Sequence, residues 1–160
     1  MREAQYAEKI NAVWDRVMAA RPEEAAGQDG GLAVLRGLIS SAAAEAAAWQ
    51  ALARRIRDGQ NRRLFAALAG DEARQLRMLQ AAWFARAGDS CPVRGTQAQP
   101  AGILAALHIR YAAAQSRADV LTRAAAGTQD ARLKKLYESF AAQERRHMES
   151  TEAVIRRLMR

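Results

Sequence analysis

Three side chains, Glu72, Glu144 and His147, have the types and spacing of metal ligands. Glu144 and His147 are three residues apart, so on a helix they share one face and present a carboxylate and an imidazole together. Glu72 has the equivalent place in an earlier segment. Burying an unpaired carboxylate costs several kcal/mol or forces its protonation, so two of them in apolar surroundings favour a shared cation. These residues therefore predict a metal site.

The apolar residues around each ligand recur at steps of four and three, which keeps their side chains on one helix face. Around the second pair of ligands this series contains Leu133, Tyr137, Phe140, Thr151, Val154 and Leu158. Around Glu72 it contains Phe65, Leu68, Gln75 and Leu79. Both series predict that the ligands point into the interior of a helical protein.

The whole chain of 160 residues is predicted to be a single all-α domain. It is rich in alanine, has only three prolines and contains no alternating β-type run. An N-terminal extra helix is predicted at about 2–20, followed by a four-helix bundle over 32–159. The bundle helices are predicted at about 32–57, 60–86, 103–126 and 130–159. Helices of about 25 residues are ~38 Å long. Four helices of this length, joined by two tight turns and a crossover loop at 88–102, form a four-helix bundle. The N-terminal helix would pack outside the bundle or mediate self-association.

An internal repeat relates the two halves of this bundle. A shift of 72 residues places Glu72 on Glu144, and it also places the turn residue Asp58 on Asp130. The aromatic residue Phe65 falls on Tyr137 in the same register. The bundle is therefore predicted to consist of two pseudo-repeated helical hairpins.

With these motifs the chain resembles the ferritin-like superfamily, and specifically the short rubrerythrin-like proteins. The resemblance runs from about Leu32 to the C-terminus and includes LAGDEARQLRML, FAAQERRHMEST and the aromatic-x-x-Leu-Ala run at Trp49–Ala53. In that family each hairpin supplies a Glu from its first helix and Glu-x-x-His from its second. These six residues hold two iron or manganese ions, which reduce peroxide, activate oxygen or oxidise iron for storage.

This chain departs from the family pattern at three positions. Gln75 stands in place of the first His, and Ala42 and Ala114 stand where the family has its first-helix Glu residues. Glu45 and Gln115 are close by, but Glu45 is about one turn displaced and Gln115 is rotated by about 100° from Ala114. We expect neither to replace the missing carboxylates, and we expect Gln75 to be a polar remnant that binds no metal.

The remaining ligands are Glu72, Glu144 and His147, which is too few for a typical di-iron or di-manganese centre. One Fe or Mn ion held by these three residues and by water is one alternative. The other is a metal-free polar network, in which Gln75, protonated His147 and a shared proton satisfy the two carboxylates.

The two alternatives imply different functions. With an ion, the resemblance implies a metal-dependent oxidoreductase acting on peroxide or oxygen. Such an enzyme would need an external electron donor, because a rubredoxin-type site uses four cysteines and this chain has only Cys91. Without an ion, we expect a non-catalytic module that acts as an oligomer or adaptor. In both cases the expected assembly is a homo-oligomer, most simply a dimer.

The charge and hydropathy of the chain limit its partners. The net charge of +8 arises from 25 Lys and Arg against 17 Asp and Glu, but the basic pairs are spread over several helices without an RNA-binding motif. This pattern favours solvated helix faces over nucleic-acid binding.

No apolar run approaches the ~20 residues of a membrane span, and the N-terminus does not resemble a signal peptide. We therefore expect a cytoplasmic protein with no membrane partner and with Cys91 as an ordinary reduced thiol in a polar loop. Of the remaining residues, His108 should be a surface histidine or one with satisfied hydrogen bonds, and Trp49 and Trp83 should fill core or helix-packing positions.

Overall fold

The computed structural model describes residues 28–93 and 102–160, and over these ranges the protein is helical without any strand. There are four helices within them: α1 Gln28–Arg55, α2 Gly59–Ala87, α3 Ile103–Gly127 and α4 Ala131–Leu158. The all-α prediction is confirmed. The predicted N-terminal helix and most of the crossover loop lie outside the described residues.

Helix ends follow the turn residues that the sequence marks. Asp58 caps α2 by accepting a hydrogen bond from the Asn61 N–H at 2.8 Å, and Asp130 caps α4 by accepting from the Arg132 and Leu133 N–H groups. Gly88 ends α2 at φ 76°, a left-handed conformation that suits glycine. The largest difference from the prediction is at α1, which begins at Gln28 and not at about residue 32, so that the helix includes Gly30 and Gly31. Glycine costs only about 1 kcal/mol in a helix, so it does not prevent this extension.

The four helices pack as two pairs, α1 with α2 and α3 with α4. An apolar cluster at one end of the helices draws residues from all four of them, including Leu38, Trp83, Leu121 and Tyr137. A second cluster at the other end contains Trp49, Phe65, Leu107 and Val154. The rings of Trp49 and Phe65 are 5.3 Å apart in this second cluster. The two hairpins therefore share a core that has two apolar ends.

The helix faces agree closely with the predicted series. All of the named residues around Glu72, Glu144 and His147 are buried, apart from Leu158. Leu158 is 45% exposed because it is the last residue of α4, beyond the buried Val154 and Ile155. The ferritin-like arrangement of the hairpins remains a prediction.

One segment contradicts our expectation about apolar length. Gly30–Arg55 is long and apolar enough, by length and composition, to cross a membrane. We missed it because its apolar character is spread over many alanines and is not concentrated in a run of large side chains. A closely packed bundle helix has the same composition. In the structure Glu45, in the middle of this segment, is ion-paired with Arg110 of α3. The absence of a membrane partner stays a prediction.

Candidate functional site

A layer of buried polar side chains separates the two apolar clusters, and every helix contributes to it. We call it the polar layer, and its members are Glu45 of α1, Glu72 and Gln75 of α2, Arg110 and Arg117 of α3, and Glu144, His147 and Thr151 of α4. In each helix these residues lie between a segment that packs in one cluster and a segment that packs in the other. The layer is thus an internal feature of the fold.

The three predicted ligands meet in this layer. Glu72, Glu144 and His147 each place one ligand atom within 4.8 Å of the others, and each residue is at most 3% exposed. The Nδ1 atom of His147 is 3.1 Å from Oε1 of Glu72 and 3.9 Å from Oε2 of Glu144. The helix register that brings them together is the one predicted from their spacing.

The second ring nitrogen of His147 also faces a carboxylate. Its Nε2 is 3.1 Å from Oδ2 of Asp71, a half-buried residue that lies 3.7 Å from Arg74. Burial alone would lower the pKa of His147, but the hydrogen bond to Glu72 and the nearby charge of Glu144 outweigh it, so the pKa is raised. His147 is therefore held by carboxylates on both sides in a position that favours its protonated form.

The centre of the layer contains a guanidinium group that the sequence analysis did not predict. Arg117 is 1% exposed and donates a hydrogen bond from Nη1 to Oε2 of Glu72 at 2.8 Å. Its Nη2 donates to Oε1 of Gln75 at 2.8 Å, and its Nε is 3.8 Å from Oε1 of Glu144. That Nε is buried and has no hydrogen-bond partner among the described residues. Arg117 thus provides positive charge between the two carboxylates that we expected to share a metal ion.

Gln75 has a larger role than that of a polar remnant. Its amide nitrogen donates to Oε1 of Glu144 at 3.0 Å and to Oε1 of Gln143 at 2.8 Å. Together with the bond that it accepts from Arg117, these contacts satisfy both ends of the buried amide. This agrees with the metal-free alternative, in which Gln75 satisfies the carboxylates.

A second buried ion pair joins Glu45 to Arg110 at 2.6 Å. Both residues are 6% exposed, and burial raises the pKa of Glu45 although Arg110 opposes the rise. Glu45 thus belongs to the polar layer. Ala42 and Ala114, the two positions where the family would have carboxylates, are buried small residues.

Most of the described ion pairs and side-chain hydrogen bonds of the layer connect one hairpin with the other, whereas the contacts of Glu144 with Arg117 and His147 lie within the second hairpin. Arg110 and Arg117 of the second hairpin bind Glu45 and Glu72 of the first. Gln75 of the first hairpin binds Glu144 of the second. These contacts are directional and buried, and they link the two hairpins across the core.

The charges of the layer balance with a single proton. Burial would raise the pKa of Glu72, but Arg117 and His147 outweigh burial, so this pKa is lowered. Burial raises the pKa of Glu144 to about 8. Near neutral pH the pair Glu144 and His147 therefore holds at least one proton. The three buried carboxylates face two buried guanidinium groups, so one proton on this pair makes the layer neutral.

This donor set does not fit a two-ion centre. A carboxylate-bridged pair of divalent ions needs about four carboxylates, whereas here a guanidinium lies beside two of the three that the layer contains. The residues can supply three ligands to one ion, but such an ion would lie close to the charge of Arg117.

A signal for the two buried arginines was present in the sequence. Leu107, Arg110, Ala114, Arg117 and Leu121 recur at the same steps of three and four that revealed the ligands on α2 and α4. The shift of 72 residues also places Glu45 on Arg117. Applying both tests to α3 would have predicted two cations in the interior.

The remaining predictions have mixed outcomes. His108 is exposed, and Trp49 and Trp83 are buried, as predicted. Cys91 is a free thiol, but it is only 6% exposed and packs in the first apolar cluster, so it is not an ordinary loop side chain. Trp83 contributes to this packing and donates a hydrogen bond to Asp89 in the same loop.

No protein-family model, curated protein or solved structure matches this chain.

Proposed function

We propose that this chain is a non-catalytic, metal-free helical module, in which side-chain cations take the place that metal ions have in the family it resembles. The contact between the Arg117 guanidinium and Glu72, with Glu144 close by, carries the proposal. A buried carboxylate needs a positive partner, and Arg117 provides one without any ion.

Burial of the candidate ligands supports a structural role. Glu72 and Glu144 are each 1% exposed, and His147 is 3% exposed. Catalytic metal sites keep an open coordination position for substrate or water. A layer whose acidic and basic groups bind one another offers no such position to a soluble substrate.

The proposed task of the layer is to fix the docking of the two hairpins. Apolar residues alone tolerate sliding and repacking, whereas a misaligned hairpin would leave Arg117 or Glu45 buried without a partner. The module would then act through its surface, as a homo-oligomer or adaptor. Phe84 and Met78 of α2, which are 60% and 44% exposed, are apolar contact points for that purpose.

Metal analysis of protein purified without chelators tests the proposal. We expect less than about 0.1 equivalent of Fe, Mn or Zn, both before and after reconstitution, because neutral pairing leaves no unbalanced carboxylate. One tightly bound equivalent that disappears in Glu144→Ala and His147→Ala would refute it. Light scattering of the same samples would test the expected homo-oligomer.

One observation favours a second candidate, a site for a single Fe or Mn ion. Ligand atoms of Glu72, Glu144 and His147 converge, and Asp71 orients the other nitrogen of the imidazole. Carboxylate-oriented histidines are typical of metal ligands. A redox function at this ion would depend on an external electron donor. The metal analysis described above decides between the two candidates.

A further inference from the structure

We infer that the polar layer contains a latent site for one divalent transition-metal ion, which the guanidinium of Arg117 keeps closed. Replacing this guanidinium with a neutral side chain should allow Glu72, Glu144 and His147 to bind one ion. The inference rests on the proposed metal-free function, since it assumes that the wild-type protein excludes the ion.

The two carboxylates are already oriented for such an ion. Arg117 binds Oε2 of Glu72 and Gln75 binds Oε1 of Glu144, which leaves the other oxygen of each group facing His147. Those oxygens are 3.1 and 3.9 Å from Nδ1 of His147. Ligands about 2.1 Å from a tetrahedral ion lie about 3.4 Å apart, so the three atoms need only small movements.

The imidazole is oriented as well. Asp71 holds Nε2 of His147 at 3.1 Å, so Nδ1 faces the two carboxylates. A carboxylate bound to the outer nitrogen fixes the ring of a metal-binding histidine in the same way. Neither Asp71 nor Gln75 would have to move for the ion to bind.

Arg117 satisfies the hydrogen bonds and charges of this site only in part. Its Nε is buried and has no hydrogen-bond partner within residues 28–93 and 102–160, although Oε1 of Glu144 is 3.8 Å away. Its single charge does not balance both Glu72 and Glu144. A divalent ion would supply both positive charges at once, whereas in the wild type it would be repelled by the buried guanidinium at short range.

The test compares wild type with Arg117→Met, which keeps an unbranched side chain but removes the charge. Both are purified without chelators and titrated with Zn²⁺ by calorimetry and with Co²⁺ by visible absorption. We expect Arg117→Met to bind one equivalent at least ~100-fold more tightly than wild type, because a buried like charge has been removed. We also expect Zn²⁺ to raise its melting temperature and to leave that of wild type unchanged.

The matched control is Arg110→Met. It also removes a buried arginine from α3, but the described hydrogen bonds of the His147 imidazole go to Glu72 and Asp71 and not to Glu45, the carboxylate that this variant leaves unpaired. We expect a comparable loss of stability without stoichiometric binding or rescue by Zn²⁺. Adding His147→Ala to Arg117→Met should abolish both the binding and the rescue.

Each outcome decides one of the two proposals. If Arg117→Met folds and binds no ion more tightly than wild type, or binds two, the inference is wrong and the metal-free function stands. If wild type binds one ion through His147, the metal-free function is wrong. Arg117→Gln is the second variant in case Arg117→Met does not fold alone. If neither recovers its helical circular dichroism with one equivalent of Zn²⁺, the inference is also overturned.

Discussion

The ion pair between Glu45 and Arg110 gives a direct measure of how strongly the polar layer stabilises the docking of the hairpins. Its atoms are 2.6 Å apart and both residues are 6% exposed, so the pair is in the buried class and not among the nearly neutral surface pairs. Removing one partner of a buried pair costs about 3–5 kcal/mol. Arg110→Met also removes an Nε–H that has no hydrogen-bond partner in the described part of the chain, which offsets about 1 kcal/mol of this cost. We therefore expect Arg110→Met to lower the free energy of unfolding by about 3 kcal/mol.

The pH dependence of this loss has a definite sign. The pKa of Glu45 is already raised by burial, and removal of Arg110 takes away the largest opposing influence. A carboxyl group whose folded pKa is raised stabilises the fold fully below its unfolded pKa, and this contribution is lost as pH rises through the folded pKa. The deficit of Arg110→Met should therefore be smaller near pH 5 than near pH 8.

Urea unfolding, followed by helical circular dichroism and by tryptophan fluorescence, measures both effects. The double variant Glu45→Met, Arg110→Met replaces the pair with apolar side chains, and we expect it to be at least as stable as wild type. Glu45→Gln, Arg110→Met is the control in which the pH dependence of the deficit should vanish. A loss below about 1 kcal/mol in Arg110→Met, or a double variant less stable than either single one, would refute the reasoning.

Two further predictions concern pH and the helix caps. Burial raises the pKa of Glu144 to about 8, and the pKa of His147 is also raised, so their contributions are full at low pH and are lost as pH rises. The melting temperature of wild type should fall between about pH 6 and 9, and Glu144→Gln should flatten this fall. An equally steep fall in the variant would contradict the assignment to Glu144. For the caps, Asp130→Ala should lower the melting temperature more than Asp58→Ala, because Asp130 caps two N–H groups and pairs with Arg86, whereas Asp58 caps one. Equal losses in the two cap variants would contradict this ranking.

The sequence predicted the helices because their signals are local. Capping residues such as Asp58 and Asp130, the C-terminal Gly88 and the steps of three and four depend only on neighbours within a few turns. These signals placed most helix ends within a few residues. They could not establish how the two hairpins dock, because that arrangement depends on contacts between residues far apart in the chain.

The candidate site was predicted only in part, for a physical reason. Glu72, Glu144 and His147 stand out because acidic residues interrupt apolar series. Arg110 and Arg117 interrupt the series on α3 in the same way, but arginine is common on the exposed faces of this basic chain. A shared metal cation would already balance both carboxylates, so this expectation did not require a buried guanidinium. The partners of a buried carboxylate depend on tertiary packing, which local patterns do not contain.

The internal repeat predicted from the sequence offers an account, by charge, of the proposed metal-free layer. If both halves carried a carboxylate at the positions of Glu45 and Glu72, four buried carboxylates would need two divalent ions. Placing Arg117 at the repeat equivalent of Glu45 removes one negative charge and adds a positive one, so a single divalent ion would suffice.

Arg110 completes this change, because its repeat equivalent in the first half is the apolar residue Leu38. With this second guanidinium the buried layer lacks only one positive charge, and a proton on Glu144 or His147 supplies it. The same count makes Arg117 the decisive residue. Removing Arg117 restores a deficit of two positive charges, which equals the charge of one divalent ion. This deficit lies beside an imidazole that Asp71 already orients. Removing Arg110 creates an equal deficit, but it does so beside Glu45, whereas the described hydrogen bonds of the His147 ring go to Glu72 and Asp71.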